Sequence, residues 1–306
     1  MSAAPTQGFM GPPAEVERQI RSRGAVLDMA FTQSIYAPLL ARQPRDGASV
    51  TRDLVYGTDD RHRMDVYRPQ AGDAAGRDVI LFFHGGGFVR GDKAEKENIG
   101  QYFARLGMVV AIANYRLAPK HVWPSGAEDV TAAYRWLRAN VAALGGRPER
   151  IFLVGESAGA AHVATAALVR RFHPPEGLVT PGLVLISGVY DAELELRARR
   201  QFKTASPDPR NEPYYGSDFA RYREMSTVHL IDAAPAPVLI TYAELDLPQM
   251  QVQAGGLFAC LITKHGFDPD LHVVPGHNHL TQVYSVNTGD ESLTHIVADF
   301  MSKHRP

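Results

Sequence analysis

Short apolar runs alternate with longer amphipathic segments along most of this chain, and this alternation constrains the fold more than any other feature. The run VILFF at 79–83 is continuously apolar, which is typical of a strand buried on both faces. Strands that alternate with helices form a parallel sheet with helices on both faces. The sequence therefore predicts an α/β fold with a mostly parallel central sheet. The further predicted strands cover 108–115, 150–155, 182–190, 236–243 and 271–276.

Two other patterns precede this region. Residues 14–40 carry apolar side chains at roughly helical spacing, which predicts one or two amphipathic helices. The stretches 49–57 and 63–69 are strand-like and are separated by turn residues. They predict an antiparallel hairpin that leads into the sheet.

The composition excludes several classes of protein. Of the 306 residues, 45% are hydrophobic and 21% are charged, as in an ordinary soluble globular protein. The formal net charge of -1 gives no general attraction to nucleic acid or acidic membranes. The single cysteine, Cys260, lies in an apolar run and is predicted to be a buried side chain without a disulfide. Without a basic and apolar leader or an apolar run of ~18 residues, the sequence predicts a cytoplasmic protein with no membrane insertion.

The motif Gly155-Glu156-Ser157-Ala158-Gly159 follows the predicted strand IFLV and precedes a predicted helix. Strand, G-x-S-x-G and helix together favour a serine exposed on a tight turn at the edge of the sheet. The five-residue pattern alone could arise by chance, but this context makes chance the weaker interpretation. Ser157 is therefore the candidate nucleophile.

A second motif, His84-Gly85-Gly86-Gly87, directly follows the strand at 79–83. Hydrolysis of an acyl group needs donors for an oxyanion, and backbone N–H groups fixed in advance serve this purpose. A dinucleotide-binding fingerprint fails because Arg90 stands where a glycine is required, and a Walker pattern fails because Asp92 replaces its lysine. The predicted oxyanion hole comprises Gly85, Gly86, Gly87 and, after the nucleophile, Ala158.

A serine hydroxyl needs a base, normally a histidine oriented by a carboxylate. In the fold that carries this motif, the acid follows a late strand. Asp246 lies a few residues beyond the strand at 236–243, in an irregular stretch with Pro248, and is the preferred acid. Glu244 is the second candidate, and Asp191, after the strand at 182–190, is the third.

The histidine should lie in a loop before the last helix. The segment PGHNHLTQ offers His277 and His279, of which His279 is preferred. The pair could bind a metal ion as H-x-H, but no nearby acidic or histidine cluster completes such a site, so no metal is predicted. His84 and His162 are predicted to be structural, with His84 bracing the glycine loop.

These residues resemble the hormone-sensitive-lipase-like branch of the α/β-hydrolases, the bacterial carboxylesterases. The resemblance rests on HGGGF at 84–88, NYRLAPKHVWPSGAEDV at 114–130, GESAGAAH at 155–162, AELDLPQ at 243–249 and GHNHL at 276–280. It implies the α/β-hydrolase fold with a helical cap, and Ser157, Asp246 and His279 as the catalytic set. It also implies a small-molecule ester of short to medium acyl length as substrate and no cofactor, and it is compatible with a homodimer. An amidase or formamidase, and a ligand-binding relative without catalysis, stay as alternatives.

The alternation of strands and helices breaks between 191 and 234. An insertion of this length in a compact α/β unit is usually functional. We therefore predict N-terminal helices that are part of a cap at 1–48, a catalytic core at 49–190 and 235–306, and a cap insertion at 191–234. Side chains that could line the acyl pocket are Phe88, Tyr214, Tyr215 and Phe219, although the cap aromatics could equally form the cap's own core.

Overall fold

The computed structural model describes residues 10–44, 46–70, 76–201, 211–234 and 236–304. Within these ranges the chain forms an eight-stranded sheet covered by helices. The strands are β1 (Ala48–Val55), β2 (Arg63–Pro69), β3 (Arg77–Phe83), β4 (Val109–Ala113), β5 (Gly146–Glu156), β6 (Leu183–Ile186), β7 (Val238–Leu245) and β8 (Asp270–Asn278).

Eleven α-helices accompany these strands in the described ranges. They are α1 (Ala14–Arg23), α2 (Met29–Leu40), α3 (Glu97–Arg105), α4 (Ser125–Asn140), α5 (Ala158–Leu168), α6 (Ala192–Gln201), α7 (Asn211–Tyr215), α8 (Thr227–Leu230), α9 (Pro248–His265), α10 (Thr281–Tyr284) and α11 (Thr294–Lys303). Short 3-10 helices span Lys93–Lys96, Val141–Leu144, Arg170–Phe172 and Phe219–Met225. Among the described residues, none of the helices combines the length and the apolar character that crossing a bilayer requires.

The strands follow the order β1-β2-β4-β3-β5-β6-β7-β8. Strand β2 runs antiparallel to both β1 and β4, and every other neighbouring pair is parallel. This arrangement confirms the mostly parallel α/β sheet and the antiparallel entry hairpin that the sequence predicts.

The sheet separates two apolar clusters, and β3 shows why its sequence is continuously apolar. Val79, Leu81 and Phe83 pack into the cluster that contains side chains of α4, α5 and α9. Ile80 and Phe82 pack into the other cluster, with side chains of α3 and α11. Because side chains of a strand alternate between faces, a strand covered by helices on both sides is apolar at every position.

The strand register brings the candidate residues together at one edge of the sheet. The paired residues nearest this edge are Phe83 with Gly155, Glu156 with Ile186, and Leu245 with Asn278. In parallel strands, the residues that follow a pair leave the sheet side by side. Asp246 and His279 therefore start as neighbours, and so do Ser157 and the next residue of the β6 loop, Ser187.

The chain between β6 and β7 contains the charged helix α6 and the short helices α7 and α8. The sequence predicts the charged helix at 193–203, and its last two residues lie outside the described residues. The segment 202–210 is also outside them, so the predicted insertion is described only in part. The N-terminal helices α1 and α2 pack against β8 and α10, around a cluster of Val16, Ile20, Tyr36 and Tyr284.

Candidate active site

Ser157 lies at the turn between β5 and α5 in a backbone conformation that is rare for a residue with a side chain. Its φ is +54° and its ψ is -117°. Such a conformation costs on the order of 1–3 kcal/mol and persists only where the surroundings impose it. Here the Ser157 N–H donates to the carbonyl oxygen of Ile186 at 2.7 Å, which fixes the turn against the end of β6.

The two glycines of the motif allow this turn to pack closely. A Cβ atom on Gly155 would lie 2.5 Å from the carbonyl carbon of Gly159, and one on Gly159 would lie 2.2 Å from the carbonyl oxygen of Phe83. Both distances are shorter than any real carbon contact, so α5 can begin directly over the strand ends only with glycine at both positions.

The preferred catalytic set is brought together by hydrogen bonds. His279 Nε2 lies 3.0 Å from Ser157 Oγ. On the other side of the ring, His279 Nδ1 lies 2.8 Å from Asp246 Oδ1. The imidazole thus joins a hydroxyl to a carboxylate, which is the arrangement in which a histidine removes the serine proton.

The Asp246 carboxylate is held by a network of donors. Its Oδ2 accepts from Ser187 Oγ at 2.6 Å and its Oδ1 accepts from the Leu247 N–H at 2.8 Å. Gln282 Nε2 in turn donates to Ser187 Oγ at 2.7 Å and to the carbonyl oxygen of His279 at 3.1 Å. These contacts fix the carboxylate and the histidine backbone in one orientation.

Sequence reasoning missed Ser187 and Gln282. A signal for Ser187 was present, because it is the first polar residue after the buried strand β6 and stands at the carboxyl end of the sheet, where functional side chains collect. No comparable signal pointed to Gln282.

The competing acids and the second histidine have other partners. Glu244 accepts from Arg21 Nη1 at 2.8 Å and Nη2 at 3.0 Å, and ties α1 to the sheet. Asp191 accepts from the Leu194 N–H at 2.9 Å at the start of α6. The buried His277 lies with its Nε2 3.0 Å from Asp290. None of these contacts involves Ser157.

The glycine loop after β3 lines the same cleft as Ser157 and His279. Gly86 has a φ of +140° and Gly87 one of +59°. A Cβ atom on Gly86 would lie 1.9 Å from the carbonyl oxygen of Arg90, so the loop closes on itself only with glycine there. The Gly85 N–H donates to Glu156 Oε2 at 3.2 Å, so this donor faces a carboxylate of the protein.

The cleft at Ser157 has a volume of about 210 Å³. Its wall includes apolar and amide side chains from α2, from the loop before it and from the segment after His279. These residues are Leu27, Met29, Gln33 and Leu280.

The predicted pocket aromatics pack against other aromatic rings rather than along the cleft. The ring of Phe88 stacks on Tyr214 with centroids 4.5 Å apart and meets Tyr215 edge-on at 5.4 Å. Phe219 packs against Tyr222 at 5.3 Å. Phe88, Tyr214 and Tyr215 are buried in a cluster with other side chains of the 191–234 segment. In the described part of the chain Phe88, Tyr214 and Tyr215 thus form a core between the glycine loop and the insertion, Phe219 is exposed, and none of the four is among the residues that line the cleft.

A model of the family described as having the α/β-hydrolase fold matches residues 80–282. The chain belongs to that family. The matched range of this α/β-hydrolase contains the glycine loop, Ser157, Asp246 and His279, whereas the cleft-wall residues Leu27, Met29 and Gln33 lie outside it.

Individual relatives of this α/β-hydrolase include esterases. An ethyl acetate hydrolase from Pseudomonas putida is 29% identical over 90% of this chain and 92% of its own length. An isoprenylcysteine alpha-carbonyl methylesterase from Arabidopsis thaliana is 33% identical over 46% of this chain, and the chain spans only 31% of that protein. A solved esterase from the bacterial hormone-sensitive lipase family has a TM-score of 0.70 and 24% identity over 100% of both chains. The predicted fold and family resemblance are confirmed.

Two buried histidines near the site of this α/β-hydrolase are structural neighbours of the glycine loop and the helix α5. His84 Nδ1 lies 2.7 Å from the carbonyl oxygen of Gly85, and its ring stacks on Tyr115 at 4.5 Å. His162 packs edge-on against Tyr115 and Phe88. Burial lowers the pKa of His84 to about 4 and that of His162 to about 3. Both rings are therefore neutral at neutral pH.

We expect the stability of the protein to fall when the pH is lowered from 7 to 5. In the unfolded chain these histidines take up a proton at pH ~6.5, whereas in the folded chain they stay neutral down to pH 5. Lowering the pH from 7 to 5 therefore reduces the free energy of unfolding by about 2 kcal/mol for each histidine. Urea unfolding at the two pH values measures this loss. The free energy of unfolding of His162→Gln should fall by about 2 kcal/mol less between these pH values than that of the unmodified protein. The control is His272→Gln, at an exposed position of β8, which should behave like the unmodified protein. An unchanged loss in His162→Gln would contradict the assignment.

Proposed function

We propose that this α/β-hydrolase is a serine carboxylesterase that hydrolyses short- to medium-chain or aryl carboxylic esters through an acyl-enzyme intermediate. The observation that carries the proposal is the position of His279, within hydrogen-bond distance of both Ser157 Oγ and Asp246 Oδ1. The names of the relatives, which are ester hydrolases, support the ester as the bond that is cleaved.

In the first half of the reaction, Ser157 Oγ attacks the ester carbonyl carbon and His279 Nε2 takes the serine proton. Asp246 keeps the other ring proton on Nδ1 and stabilises the imidazolium. As the tetrahedral intermediate collapses, the bond to the alcohol oxygen breaks and His279 gives its proton to that oxygen. The alcohol leaves, and the acyl group stays on Ser157.

In the second half, water takes the place of the alcohol. His279 removes a proton from the water, the resulting hydroxide attacks the acyl carbon, and the proton returns to Ser157 Oγ as the acid leaves. Both halves place negative charge on the former carbonyl oxygen. We assign its stabilisation to the N–H groups of Gly86, Gly87 and Ala158, since the Gly85 N–H is engaged by Glu156.

The cleft also supports a division of the chain into a core and a cap. Its wall contains Met29 and Gln33 from α2 and Leu27 from the loop before it, whereas the catalytic side chains come from strand ends. We propose that residues 1–48 and 191–234 form the cap, and that residues 49–190 and 235–306 form the catalytic core. The small volume and the apolar part of this wall suit a compact acyl group.

The test compares an aryl ester with an N-formyl arylamine on the purified protein. We expect rate enhancement over the uncatalysed reaction to be larger for phenyl acetate than for the N-formyl arylamine formanilide. Among p-nitrophenyl esters, kcat/KM should decrease from short acyl chains to long ones, because the cleft of about 210 Å³ limits the acyl length. A larger enhancement for formanilide would instead identify a formamidase.

A further inference from the structure

One buried ion pair in the cleft has no part in the proposed acyl transfer. Lys96 Nζ lies 2.8 Å from Glu156 Oε2, and the two side chains are only 4% and 3% exposed. Both residues line the same cleft as Ser157. Removing two charges from water is costly, and an apolar pair of similar volume is often equally stable. Stability alone therefore does not account for charges at this place.

The carboxylate of Glu156 connects the nucleophile to the glycine loop. Glu156 is the last residue of β5 and directly precedes Ser157, while its Oε2 accepts from the Gly85 N–H at 3.2 Å. A Cβ atom on Gly85 would lie 3.1 Å from Ser157 Cβ and 3.2 Å from Glu156 Cδ, so the start of the loop packs on the nucleophile segment. The Glu156 carboxylate is thus a direct link between the nucleophile segment and the start of the loop.

The Lys96 ammonium contacts an aromatic ring in addition to the Glu156 carboxylate. Lys96 ends the 3-10 helix at 93–96, and its Nζ lies 4.6 Å from the centre of the Tyr284 ring in α10. A cation over an aromatic face is attracted to it, the more so where water is excluded. The ring and the carboxylate together hold the ammonium in one place.

The charges of the pair support each other. Burial alone would raise the pKa of Glu156, but the Lys96 ammonium and, after it, His279 hold that pKa below its usual value. Burial disfavours the charged form of Lys96, yet Glu156 raises the Lys96 pKa above its usual value. The other ionisable groups that face the pair from neighbouring elements are Glu95, Tyr284, His84 and Tyr115.

We propose that Lys96 and Glu156 are positioning residues for the oxyanion hole. The Lys96 ammonium holds the Glu156 carboxylate against the Gly85 N–H, and this contact sets the following N–H groups of Gly86 and Gly87 at the distance from Ser157 that the oxyanion requires. The inference rests on the proposed serine mechanism, and it adds a reason for the acidic residue directly before the nucleophile.

Two double variants separate positioning from stability. Lys96→Met with Glu156→Leu replaces the pair by apolar side chains and removes the acceptor for Gly85. Lys96→Met with Glu156→Gln also removes both charges but keeps an oxygen that can accept from Gly85. If the pair only stabilises the fold, the two variants react at the same rate. If it positions the loop, the leucine variant is the slower one.

The readout is the second-order rate at which a fluorophosphonate probe labels Ser157. The phosphonyl oxygen needs the same donors as an ester oxyanion, and the rate does not depend on which ester is the substrate. We expect labelling of the leucine double variant to be about 10²-fold slower, the loss typical of one misplaced oxyanion donor. The labelling rate of the glutamine double variant should fall by about tenfold or less, and its urea midpoint should be similar to that of the leucine double variant.

A matched control lies on the same 3-10 helix. Lys93 Nζ is 2.8 Å from both Asp53 and Asp65, and its side chain is 9% exposed. Lys93→Met also breaks a largely buried ion pair but lies outside the cleft lining, so it should lower the urea midpoint without slowing the labelling.

The pH dependence of labelling gives a second readout that a structural role does not predict. Lys96→Met leaves the negative charge of Glu156 unbalanced near His279, which favours the imidazolium and moves the acid limb to higher pH. Glu156→Gln leaves the positive charge of Lys96 and moves the limb to lower pH.

The outcomes distinguish this proposal from the proposed function. Positioning is supported if the leucine double variant is labelled more slowly than the glutamine double variant, and if Lys96→Met and Glu156→Gln shift the acid limb in opposite directions. Equal labelling rates of the two double variants, or slowing in Lys93→Met as large as in Lys96→Met, overturn it while the serine mechanism stands. If the unmodified protein is not labelled at Ser157, both proposals are overturned.

Discussion

Ser157→Ala is expected to lower kcat by ~10⁶-fold on any ester that the protein hydrolyses, which is the size of loss seen when a catalytic serine is removed. The physical reason is that the acyl group then has no nucleophile within reach of His279 Nε2, which lies 3.0 Å from Ser157 Oγ. Substrate binding in the cleft and the oxyanion donors remain, so the residual rate should still exceed that in water by ~10³–10⁴. Steady-state kinetics with p-nitrophenyl acetate measure the loss.

The same variant separates catalysis from binding alone. A fluorophosphonate probe should label the unmodified protein and Ser302→Ala, whose serine is exposed in α11, but should not label Ser157→Ala. Near-normal hydrolysis by Ser157→Ala would refute the mechanism. Absence of labelling in the unmodified protein would instead favour a ligand-binding protein with an inactive site.

The strands and the motif turns were predictable because each depends on a short stretch of sequence. The apolar run at 79–83 and the glycines around Ser157 have local physical causes, namely burial on both faces and a close approach of α5 to the strand ends. The short helices α7, α8 and α10 were not predicted, since segments of one turn carry too few residues for a helical period to be recognised.

Spacing along the chain favoured Asp246 but kept Glu244 as the second candidate, and the register of the sheet shows how the two differ. Glu244 directly follows the predicted strand end at 243, whereas Asp246 lies three residues beyond it. The structure extends β7 to Leu245 and pairs that residue with Asn278, so Asp246 leaves the sheet beside His279 while Glu244 is still in the strand. A pairing of residues so far apart in sequence has no local signature.

The contents of the cleft wall were the least predictable part of the site. Aromatic residues in a cap insertion suit a pocket and a core equally well, because both are apolar. In the structure, Phe88 and Tyr214 stack on each other, whereas Leu27 and Met29 face the cleft. The Lys96 and Glu156 pair was also missed, since a lysine outside any motif gives no sign of a partner 60 residues later.

Replacing a carboxylate by the corresponding amide should have very different effects at Asp246 and at Glu244, although the two residues are close in sequence. Asp246→Asn should lower kcat by ~10⁴-fold, because an amide in place of the carboxylate favours the wrong tautomer of His279. Glu244→Gln should change kcat by less than about threefold, since its partners are Arg21 and the Gly276 N–H rather than the histidine. Kinetics of both variants on one ester provide the comparison.

The donors around Asp246 determine how an asparagine side chain would be oriented at this position. Oδ2 accepts from both Ser187 Oγ and the Ala243 N–H, whereas Oδ1 accepts from only one donor besides the histidine, the Leu247 N–H. The carbonyl oxygen of an asparagine therefore satisfies more donors at the Oδ2 position. Its NH₂ group would then face His279 Nδ1, which must become an acceptor, and the ring proton would move to Nε2. A protonated Nε2 cannot take the proton of Ser157. Equal losses in Asp246→Asn and Glu244→Gln would mean that neither carboxylate orients the histidine as proposed.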